Sequence, residues 1–275
     1  MSGVLERTLG ILEILSGHPA GLPVGVIAQR LDLPPSATHR LLNDLARLGY
    51  VRQDRAQGDY ALTIKLAAMG LSFLGQSGVT DIAQPILDRL AAESHELARL
   101  SVADAGALVW VGVAQGATGG LRYDPGREQG VVVHLASSAG GLAWLSTLSD
   151  EDALAAVSRQ GLRPSHAGAG GNGPQTPTDL LARLNEARTR GYATATDSYL
   201  SGMAAIAAPV RWKGVEEAVG CLSIAAPSVR MDAARMEALA GPLMLAAAEI
   251  GAASPASQFF AAARAARSKA EGATA

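Results

Sequence analysis

The 275 residues of the chain include 23 Lys and Arg, 25 Asp and Glu, and one cysteine, Cys221. This length favours two domains, one of them large enough for a full hydrophobic core. A formal net charge of -2 excludes the long-range positive field of a strongly basic protein, so DNA binding has to be argued from local sequence. A lone cysteine excludes an internal disulfide framework and a four-cysteine zinc site, which suits a reducing cytosol.

Neither end of the chain predicts export or a membrane anchor. Residues 1–13 lack the basic stretch and the apolar segment of a signal peptide. The longest apolar stretch near the C-terminus, residues 243–253, contains Glu249 and is too short to span a bilayer. We therefore expect a cytoplasmic protein that makes no membrane contact.

Three helices are predicted in the first 50 residues. Apolar residues at spacings of one to four predict a helix over residues 4–16, with a stripe formed by Val4, Leu5, Leu9, Leu12 and Leu15. The second helix is short and is indicated by its apolar residues, Val26, Ile27 and Leu31. A tight turn leads into a third helix, which Pro34 or Pro35 opens as its first-turn proline. Two short helices joined in this way are typical of a helix-turn-helix.

The third helix has two different faces. One is apolar at helical spacing and is expected in the core: Thr38, Leu41, Leu42, Leu45 and Leu48. The other is short, polar and cationic, which suits insertion into a DNA groove: Ser36, His39, Arg40, Asn43 and Arg47. Gly49 ends the helix, and two predicted strands, 50–53 and 60–62, flank the polar turn 54–59 as a wing.

Four segments resemble the N-terminal domain of IclR-family transcription regulators in their order and spacing. They are VLERTLGILEIL at 4–15, IAQRLDLP at 27–34, HRLL at 39–42 and LGYV at 48–51. The resemblance implies a winged helix-turn-helix over residues 1–63 that binds double-stranded DNA. The family commonly opens its recognition helix with a lysine and a Ser-Thr pair, where this chain has Pro35, Ser36 and Ala37. Its operator sequence therefore does not follow from the family.

The expected DNA contacts are Ser36, His39, Arg40, Asn43, Arg47 and Arg55. Arg40 and Arg47 have the reach for a guanine edge or a phosphate, and Asn43 suits an adenine. Ser36 at the helix N-terminus suits a phosphate, and Arg55 on the wing suits the adjacent backbone or minor groove. An isolated helix with this pattern is more often a solvated surface, but the surrounding domain favours the DNA interpretation.

Residues 1–65 contain seven Lys and Arg and six Asp and Glu. Affinity for DNA therefore has to come from where the positive charges lie and from two copies binding together. We therefore expect a homodimer on a roughly palindromic operator. The resemblance implies that two such dimers can pair into a dimer of dimers. The residues do not distinguish a repressor from an activator.

Beyond residue 63 we expect a linker helix over 64–78 and a second domain over 79–252. Strands are predicted at 97–103, 108–113, 131–134, 203–211 and 218–225. Helices are predicted at 81–94, 138–147, 150–159, 177–190 and 231–251. Ser149 with Asp152, and Thr176 with Asp179, predict capped helix starts. A mostly antiparallel sheet flanked by helices, an α+β domain, is the simplest architecture.

The family resemblance continues through this second domain. HLASSAGGLA at 134–143 resembles the family's segment before its central helix, and residues 186–193 and 206–210 resemble its second signature. The resemblance implies a GAF-like α/β effector-binding domain with a pocket between the sheet and the loops around these motifs. The matching pocket positions are Leu121, Val132, Ser138, Ala139, Met203, Ala205 and Ser223. Ala195 and Ala205 stand where the family has a pocket acid and a pocket cysteine.

Several polar residues near these motifs are candidate partners for a small organic or aromatic acid: Arg122, His134, Ser137, Ser138 and Ser223. A buried anion needs several hydrogen-bond donors, which this group supplies. Each residue also has a structural interpretation. Ser137 and Ser138 can cap a helix, His134 can lie in the core, and Arg122 can lie on a loop surface.

Residues 168–173 contain the pattern G-x-G-x-x-G of dinucleotide-binding proteins. Such a fingerprint needs a strand directly before it and a helix that opens inside it. Arg163, Pro164 and Ser165 precede this one, and two prolines follow within four residues. A flexible loop is therefore predicted.

The alternative function classes are an enzyme that uses a pocket in the C-terminal domain and a helical adaptor. G-x-S-x-G and H-E-x-x-H are absent and no Cys/His cluster has metal-binding spacing, so no catalytic residue, metal or cofactor is expected. A spatial cluster of His95, His134 and His166 around Cys221 stays open. The adaptor hypothesis is supported only by the Ala-rich tail 253–275, where partial disorder is expected.

Overall fold

The computed structural model describes residues 3–55, 58–123, 129–166, 168–212 and 217–257. The chain divides into two units, Met1–Gln76 and Ser77–Ala275, and each unit has its own hydrophobic core. The prediction about the end of the Ala-rich tail concerns residues outside the described set.

Three helices and a hairpin begin the first unit, in the predicted order. The helices are α1 Val4–Ser16, α2 Val24–Arg30 and α3 Pro35–Arg47, with Pro35 at the first position of α3. Strands β1 Val51–Gln53 and β2 Tyr60–Leu62 pair antiparallel, with Val51 opposite Leu62. Helix α4 Ile64–Ser77 follows. The helix-turn-helix and its wing are therefore confirmed.

Helix α1 buries only part of its predicted apolar stripe. Ile11 and Leu15, one helical turn apart, are almost fully buried in the core of the unit. Val4, Leu5 and Leu9 are 62%, 70% and 48% exposed, so the predicted stripe is wrong for these three members. The helix carries apolar residues on more than one face, and periodicity alone does not say which face is buried.

The second unit is a sheet packed with helices on both faces. The strands are β3 Leu97–Asp104, β4 Ala107–Gln115, β5 Ala193–Thr196, β6 Met203–Val210 and β7 Gly220–Pro227. The helices are α5 Val79–Ser94, α6 Ala139–Leu145, α7 Asp150–Ser158, α8 Pro177–Arg190 and α9 Ala233–Ala253. Neighbouring strands are antiparallel in the order β4-β3-β7-β6-β5, which confirms the predicted α+β domain.

Side chains along each strand alternate between the two faces of the sheet. Ala98, Leu100 and Val102 of β3 lie in the core that includes α5 and α9. Leu108 and Trp110 of β4 lie in a second core, on the face covered by α6 and α8. Both faces of the sheet are therefore buried.

One predicted strand does not form, and one observed strand is not predicted. No strand forms at 131–134, where Val132 makes a single bridge to β4. Val131 O accepts the N–H of Trp110 and Val133 N–H donates to Leu108 O, while the side chain of Gln160 bonds the next backbone groups, donating to Val133 O and accepting from Leu135 N–H. Strand β5 is not predicted because its alternating alanines and threonines give almost no contrast between its faces.

The predicted capped helix starts are confirmed. Ser149 Oγ accepts the N–H of Asp152 at 3.1 Å ahead of α7. Thr176 Oγ1 accepts the N–H of Asp179 at 3.1 Å ahead of α8, and the Asp179 carboxylate accepts the N–H of Thr176. Gly191 ends α8 with a φ of +80°, in the left-handed region that favours glycine.

Helix α9 is 21 residues long and, by length and composition alone, apolar enough to cross a membrane. Seven of its side chains lie in the core of the second unit: Met236, Leu239, Ala240, Leu243, Ala246, Ala247 and Ile250. Glu249 on its other side pairs with Arg89 of α5. A helix with one buried face and one charged, paired face is typical of a globular domain.

Replacing Thr176 by alanine is expected to lower the free energy of unfolding by about 1 kcal/mol, because alanine lacks the Oγ1 that accepts the N–H of Asp179 at the start of α8. Thr178→Ala is the control, since Thr178 is exposed inside the same helix. Alanine is the better helix former, so this control is expected to be neutral or slightly stabilising. Urea unfolding followed by circular dichroism measures both variants. Equal midpoints for the two would show that the cap contributes nothing.

Candidate DNA-reading surface and effector cavity

Helix α3 presents its polar face to solvent. The residues predicted there are all exposed: Ser36, His39, Arg40, Asn43 and Arg47. Those buried on the opposite face are Thr38, Leu41, Leu42 and Leu45. Leu48, expected with them, is half-exposed because it follows the last residue of the helix. Folding thus leaves the whole polar face available to another molecule.

Neighbouring side chains orient several of these polar groups. Nδ2 of Asn43 lies 3.2 Å from Nδ1 of His39, and the His39 ring meets the Tyr60 ring edge to face, with 6.3 Å between centroids. Arg47 pairs at 3.3 Å with an aspartate one turn away. Arg40 has no ion-pair partner among the described residues. Arg40 therefore keeps its donors for an external partner.

The wing carries the last predicted DNA contact. Arg55 is exposed in the turn between β1 and β2, and its carbonyl accepts the N–H of Gly58 at 2.8 Å. Arg52 and Asp54 on the same hairpin pair at 2.7 Å. The hairpin thus presents the side chain of Arg55 to solvent beside a neutralised pair.

A cavity opens in the second unit where the sheet meets the start of α6. It encloses about 470 Å³ between the lining residues, counting the part open to solvent. The strands contribute Arg99, Trp110, Ala195, Met203, Ala204, Ala205, Ser223 and Ala225. The loops and the start of α6 contribute Tyr123, Ser138, Ala139, Gly140, Tyr199 and Leu200.

Strand register brings small side chains together beneath this space. Ala195 of β5 lies opposite Ala205 of β6, which lies opposite Ala225 of β7. Two residues earlier along β7, Ser223 lies opposite Arg99 of β3. Alanine and serine side chains fill little volume, so the adjacent strands leave a recess where larger residues would form a packed core.

Arg99 is a buried cation in the lining of this cavity, only 8% exposed. Its guanidinium carbon lies 4.7 Å from the centroid of the Trp110 ring, within cation-π range. The Trp110 ring meets that of Tyr199 edge on, with 5.6 Å between centroids. Among the fourteen described residues of the lining, Arg99 alone is charged. The cavity thus combines aromatic rings, small apolar residues and one cation.

Both units match one protein family. Residues 4–55 match the IclR helix-turn-helix domain, and residues 71–252 match the domain described as bacterial transcriptional regulator IclR C-terminal. The chain belongs to the IclR family. It is a DNA-binding transcriptional regulator with an effector-binding C-terminal domain, and an enzymatic function is not supported.

Two curated relatives and a crystal structure show how far the similarity to IclR-family proteins extends. The regulator BhcR of Paracoccus denitrificans is 30% identical over 250 residues, 90% of this chain and 85% of the relative. The acetate operon repressor of Salmonella typhimurium is 30% identical over 247 residues, 90% of this chain and 88% of the relative. An IclR homologue from Microbacterium hydrocarbonoxydans, crystallised with 4-hydroxybenzoate, has a TM-score of 0.70 at 21% identity, over 90% of this chain and 98% of that one. This last likeness shows the shared fold.

Half of the ten predicted effector residues line the cavity, and all five are positions that the IclR resemblance implies: Ser138, Ala139, Met203, Ala205 and Ser223. The other half are not part of its lining: Leu121, Arg122, Val132, His134 and Ser137. Leu121 and Val132 are 64% and 48% exposed, and Arg122 is exposed as well. The structure therefore does not bring the predicted set together as one site.

The polar residues before α6 bond one another. Ser137 is fully buried, and its Oγ lies 2.9 Å from Nδ1 of His134. Ser138 Oγ donates to His134 O and accepts the N–H of Gly141, so it caps α6. Burial lowers the pKa of His134, which keeps its imidazole neutral at neutral pH. The capping role considered for Ser138 is thus observed, whereas His134 is half-buried beside the core.

Sequence reasoning missed Arg99, Trp110 and Tyr199 as cavity residues. One feature of the sequence indicates Arg99: it is the one charged residue in the predicted strand 97–103. A charged residue inside a buried strand usually has an interaction partner or a function. The residues around Trp110 and Tyr199 in the sequence do not indicate a cavity. They approach each other only when the sheet and the loop after β5 are in place.

The glycine-rich segment 168–173 supports one wall of the cavity. It forms a loop, with no helix among its residues. Backbone hydrogen bonds of 2.9 Å join it to the segment 197–201, which contains Tyr199. A Cβ at Gly170 would lie 2.0 Å from the backbone O of Asp197, so only glycine permits this approach. The glycines therefore serve packing between two loops.

The described residues contain no group of three or more His, Cys, Asp and Glu side chains that could hold a metal. Cys221 is fully buried, and burial raises the pKa of its thiol, so the thiol stays protonated. His95, by contrast, is exposed to solvent. The histidine cluster considered around Cys221 does not form in the part of the chain that the structure describes.

Gly170→Ala is expected to lower the free energy of unfolding by about 1 to 3 kcal/mol, because the new methyl group meets backbone atoms of the neighbouring loop. Gly171→Ala is the control, since nothing lies within 4 Å of a Cβ at that position. Thermal unfolding followed by circular dichroism compares the two. If both variants melt together, the contact at Gly170 is not tight in solution.

Proposed function

We propose that this protein is a homodimer that binds a roughly palindromic operator and responds to a small organic or aromatic acid. Residues 1–63 read the DNA, 64–78 connect the domains, and 79–252 sense the acid in the cytoplasm. The observation that carries the proposal is the polar face of α3, which is exposed in full while the opposite face is buried. In a helix-turn-helix, this second helix enters the major groove.

Arg40 is the residue best suited to read a base. A guanidinium donates two parallel hydrogen bonds to O6 and N7 of guanine, and Arg40 is exposed on this face. Asn43 suits adenine, and His39 beside it orients the amide. Ser36 suits a phosphate near the start of the helix, while Arg47 reaches a guanine or a phosphate near its end. The wing arginine follows the adjacent backbone or minor groove.

Exposed apolar residues of the first unit support the dimer. They are between 48% and 78% exposed and belong to α1 and α4: Val4, Leu5, Leu9, Ile64, Met69, Leu71 and Phe73. Covering such residues with a second copy is favourable by about 25 cal/mol per Å² of apolar surface. A dimer places two recognition helices on half-sites about 34 Å apart. Two dimers can then pair into a tetramer.

The effector class is supported by the cavity and by one relative. The Microbacterium hydrocarbonoxydans homologue is crystallised with 4-hydroxybenzoate, an aromatic acid. An effector that binds one arrangement of the domains more tightly shifts the population toward it and changes operator affinity, with the linker helix carrying the change. Since the Salmonella relative is a repressor, we propose repression as the mode of action.

The protein is expected to bind the DNA upstream of its own gene with a sequence preference and a salt dependence. Arg40→Ala is expected to weaken this binding by about 1 to 3 kcal/mol and to relax the preference at one base pair. Fluorescence anisotropy with a labelled duplex and a scrambled duplex measures both quantities.

Arg30→Ala is the matched control for this variant. Arg30 is exposed on α2, and its guanidinium lies 3.0 Å from Nε2 of His18, so the same charge is lost from the same unit. The control is expected to keep the sequence preference. Equal losses in the two variants would assign Arg40 to the solvated surface, and no sequence-selective binding by the unaltered protein would refute the operator proposal.

Leu5→Glu combined with Leu9→Glu is expected to convert the dimer into monomers, because the contact would have to bury carboxylates. Gel filtration with light scattering measures the mass. Val229→Glu is the control, since it changes an apolar residue of the second unit that is 81% exposed, and it is expected to leave the mass unchanged. A double variant that stays dimeric would exclude α1 from the contact.

A further inference from the structure

We propose that Lys65 is a positioning residue that joins the recognition helix α3 to the linker helix α4, so that the two helices move as one body. It acts through Leu48 and Tyr50 and does not contact DNA. The inference rests on the proposed DNA-reading function of α3. It adds the residue through which α4 sets the direction in which α3 meets the major groove.

The Lys65 ammonium group closes the end of α3. Its Nζ donates a hydrogen bond of 2.7 Å to the backbone O of Leu48, which follows the last residue of that helix. The last carbonyl groups of a helix have no partner inside it and form the negative end of the helix dipole, so a cation is favourable there. A residue of the linker helix therefore caps the recognition helix.

The Tyr50 side chain provides a second contact between the two helices. Lys65 Nζ lies 4.5 Å from the centroid of the Tyr50 ring, within cation-π range. The hydroxyl of the same ring donates to Sδ of Met69 at 3.6 Å, four residues further along α4. Residues four apart lie on one face of a helix, so Tyr50 lies along the first two turns of α4. The ammonium group is thus held between a carbonyl group and an aromatic face.

Thr63 fixes the backbone on both sides of this contact. Its Oγ1 donates to Gly49 O at 2.6 Å and accepts the N–H of Lys65 at 3.2 Å, at the start of α4. The N–H of Thr63 donates to Tyr50 O at 2.9 Å. Movement is passed between elements by such continuous sets of hydrogen bonds and packed side chains. A rotation of α4 has to break these bonds or carry the end of α3 with it.

An exposed lysine in a DNA-binding unit also suits a phosphate contact, and the two roles differ in their salt dependence. Each phosphate that a protein neutralises adds about 0.9 to the slope of log affinity against log salt concentration. A residue that only positions α3 changes the affinity and leaves this slope as it is. The bonds of Nζ favour the positioning role, because a phosphate would compete with Leu48 O and with the Tyr50 ring.

Fluorescence anisotropy of the full chain on the operator duplex and on a scrambled duplex, over a series of salt concentrations, tests the proposal. Lys65→Met removes the charge and keeps much of the length of the side chain. It is expected to weaken operator binding by about fivefold or more, because losing a hydrogen bond from a charged group lowers the population of correctly oriented α3. Its salt slope and its affinity for the scrambled duplex are expected to match those of the unaltered protein.

Two further variants separate the contacts of Lys65. Lys65→Arg is expected to keep most of the operator affinity, because a guanidinium also donates to a carbonyl group and stacks on an aromatic ring. Tyr50→Leu removes the ring. Because both residues act through one contact, the double variant of Tyr50→Leu and Lys65→Met is expected to lose much less than the product of the two single losses.

Arg30→Met is the matched control. It removes another exposed cation of the first unit, at the end of α2, and is expected to bind the operator as the unaltered protein does. Hydrogen exchange followed by mass spectrometry reports on the contact between α3 and α4 without DNA. Lys65→Met is expected to speed exchange at residues 45–50 and to leave α1 unchanged. If Lys65→Met exchanges quickly throughout the first unit, it is unfolded, and Tyr50→Leu takes its place in each comparison.

Four results would overturn the proposal. They are an unchanged operator affinity in Lys65→Met, a salt slope lower by about one unit, which marks a phosphate contact, an equal loss on both duplexes, and losses that multiply in the double variant. Unchanged exchange at residues 45–50 would overturn it as well. An unaltered protein without preference for the operator duplex contradicts the proposed function, and the exchange measurement then decides whether Lys65 joins the two helices.

Discussion

The alternation of side chains along the strands of the second unit is the constraint on which its other features depend. Ala98 and Leu100 lie in the core that includes α5 and α9, so Arg99 between them has to face the other side. A charged side chain cannot be packed there like a leucine, and the alanines of β5, β6 and β7 leave the room that it borders. The same strand therefore builds the core with one face and the cavity with the other.

Elements with signals inside their own segment are predictable from the sequence. Helix α8 runs over the predicted residues because Thr176, Asp179 and Gly191 set both of its ends. The segment 131–134 has the apolar residues of a strand, but its pairing with β4 ends where Gln160, which is distant in the sequence, bonds Val133 O and Leu135 N–H. The apolar stripe of α1 fails for a related reason, since the face that is buried depends on the helices packed against it.

The two candidate sites differ in the same way. A single helix carries the DNA-reading surface, so spacing alone separates Arg40 and Asn43 from the buried leucines between them. The cavity is assembled from distant strands, and Arg99 and Ser223 become neighbours only when β3 pairs with β7. The family resemblance identifies Ser223 and several other lining positions, but it does not identify Arg99, which joins the lining through the pairing of β3 with β7.

The first unit is almost neutral, with seven basic and six acidic residues in its first 65 positions. Every phosphate contact releases counterions and strengthens attachment to any DNA, whatever its sequence. Because the first unit has little excess positive charge, we expect weak binding to DNA of arbitrary sequence. Few copies of the protein are then held at non-operator sites in the genome. We therefore expect free diffusion, more than sliding along DNA, to bring the protein to its operator.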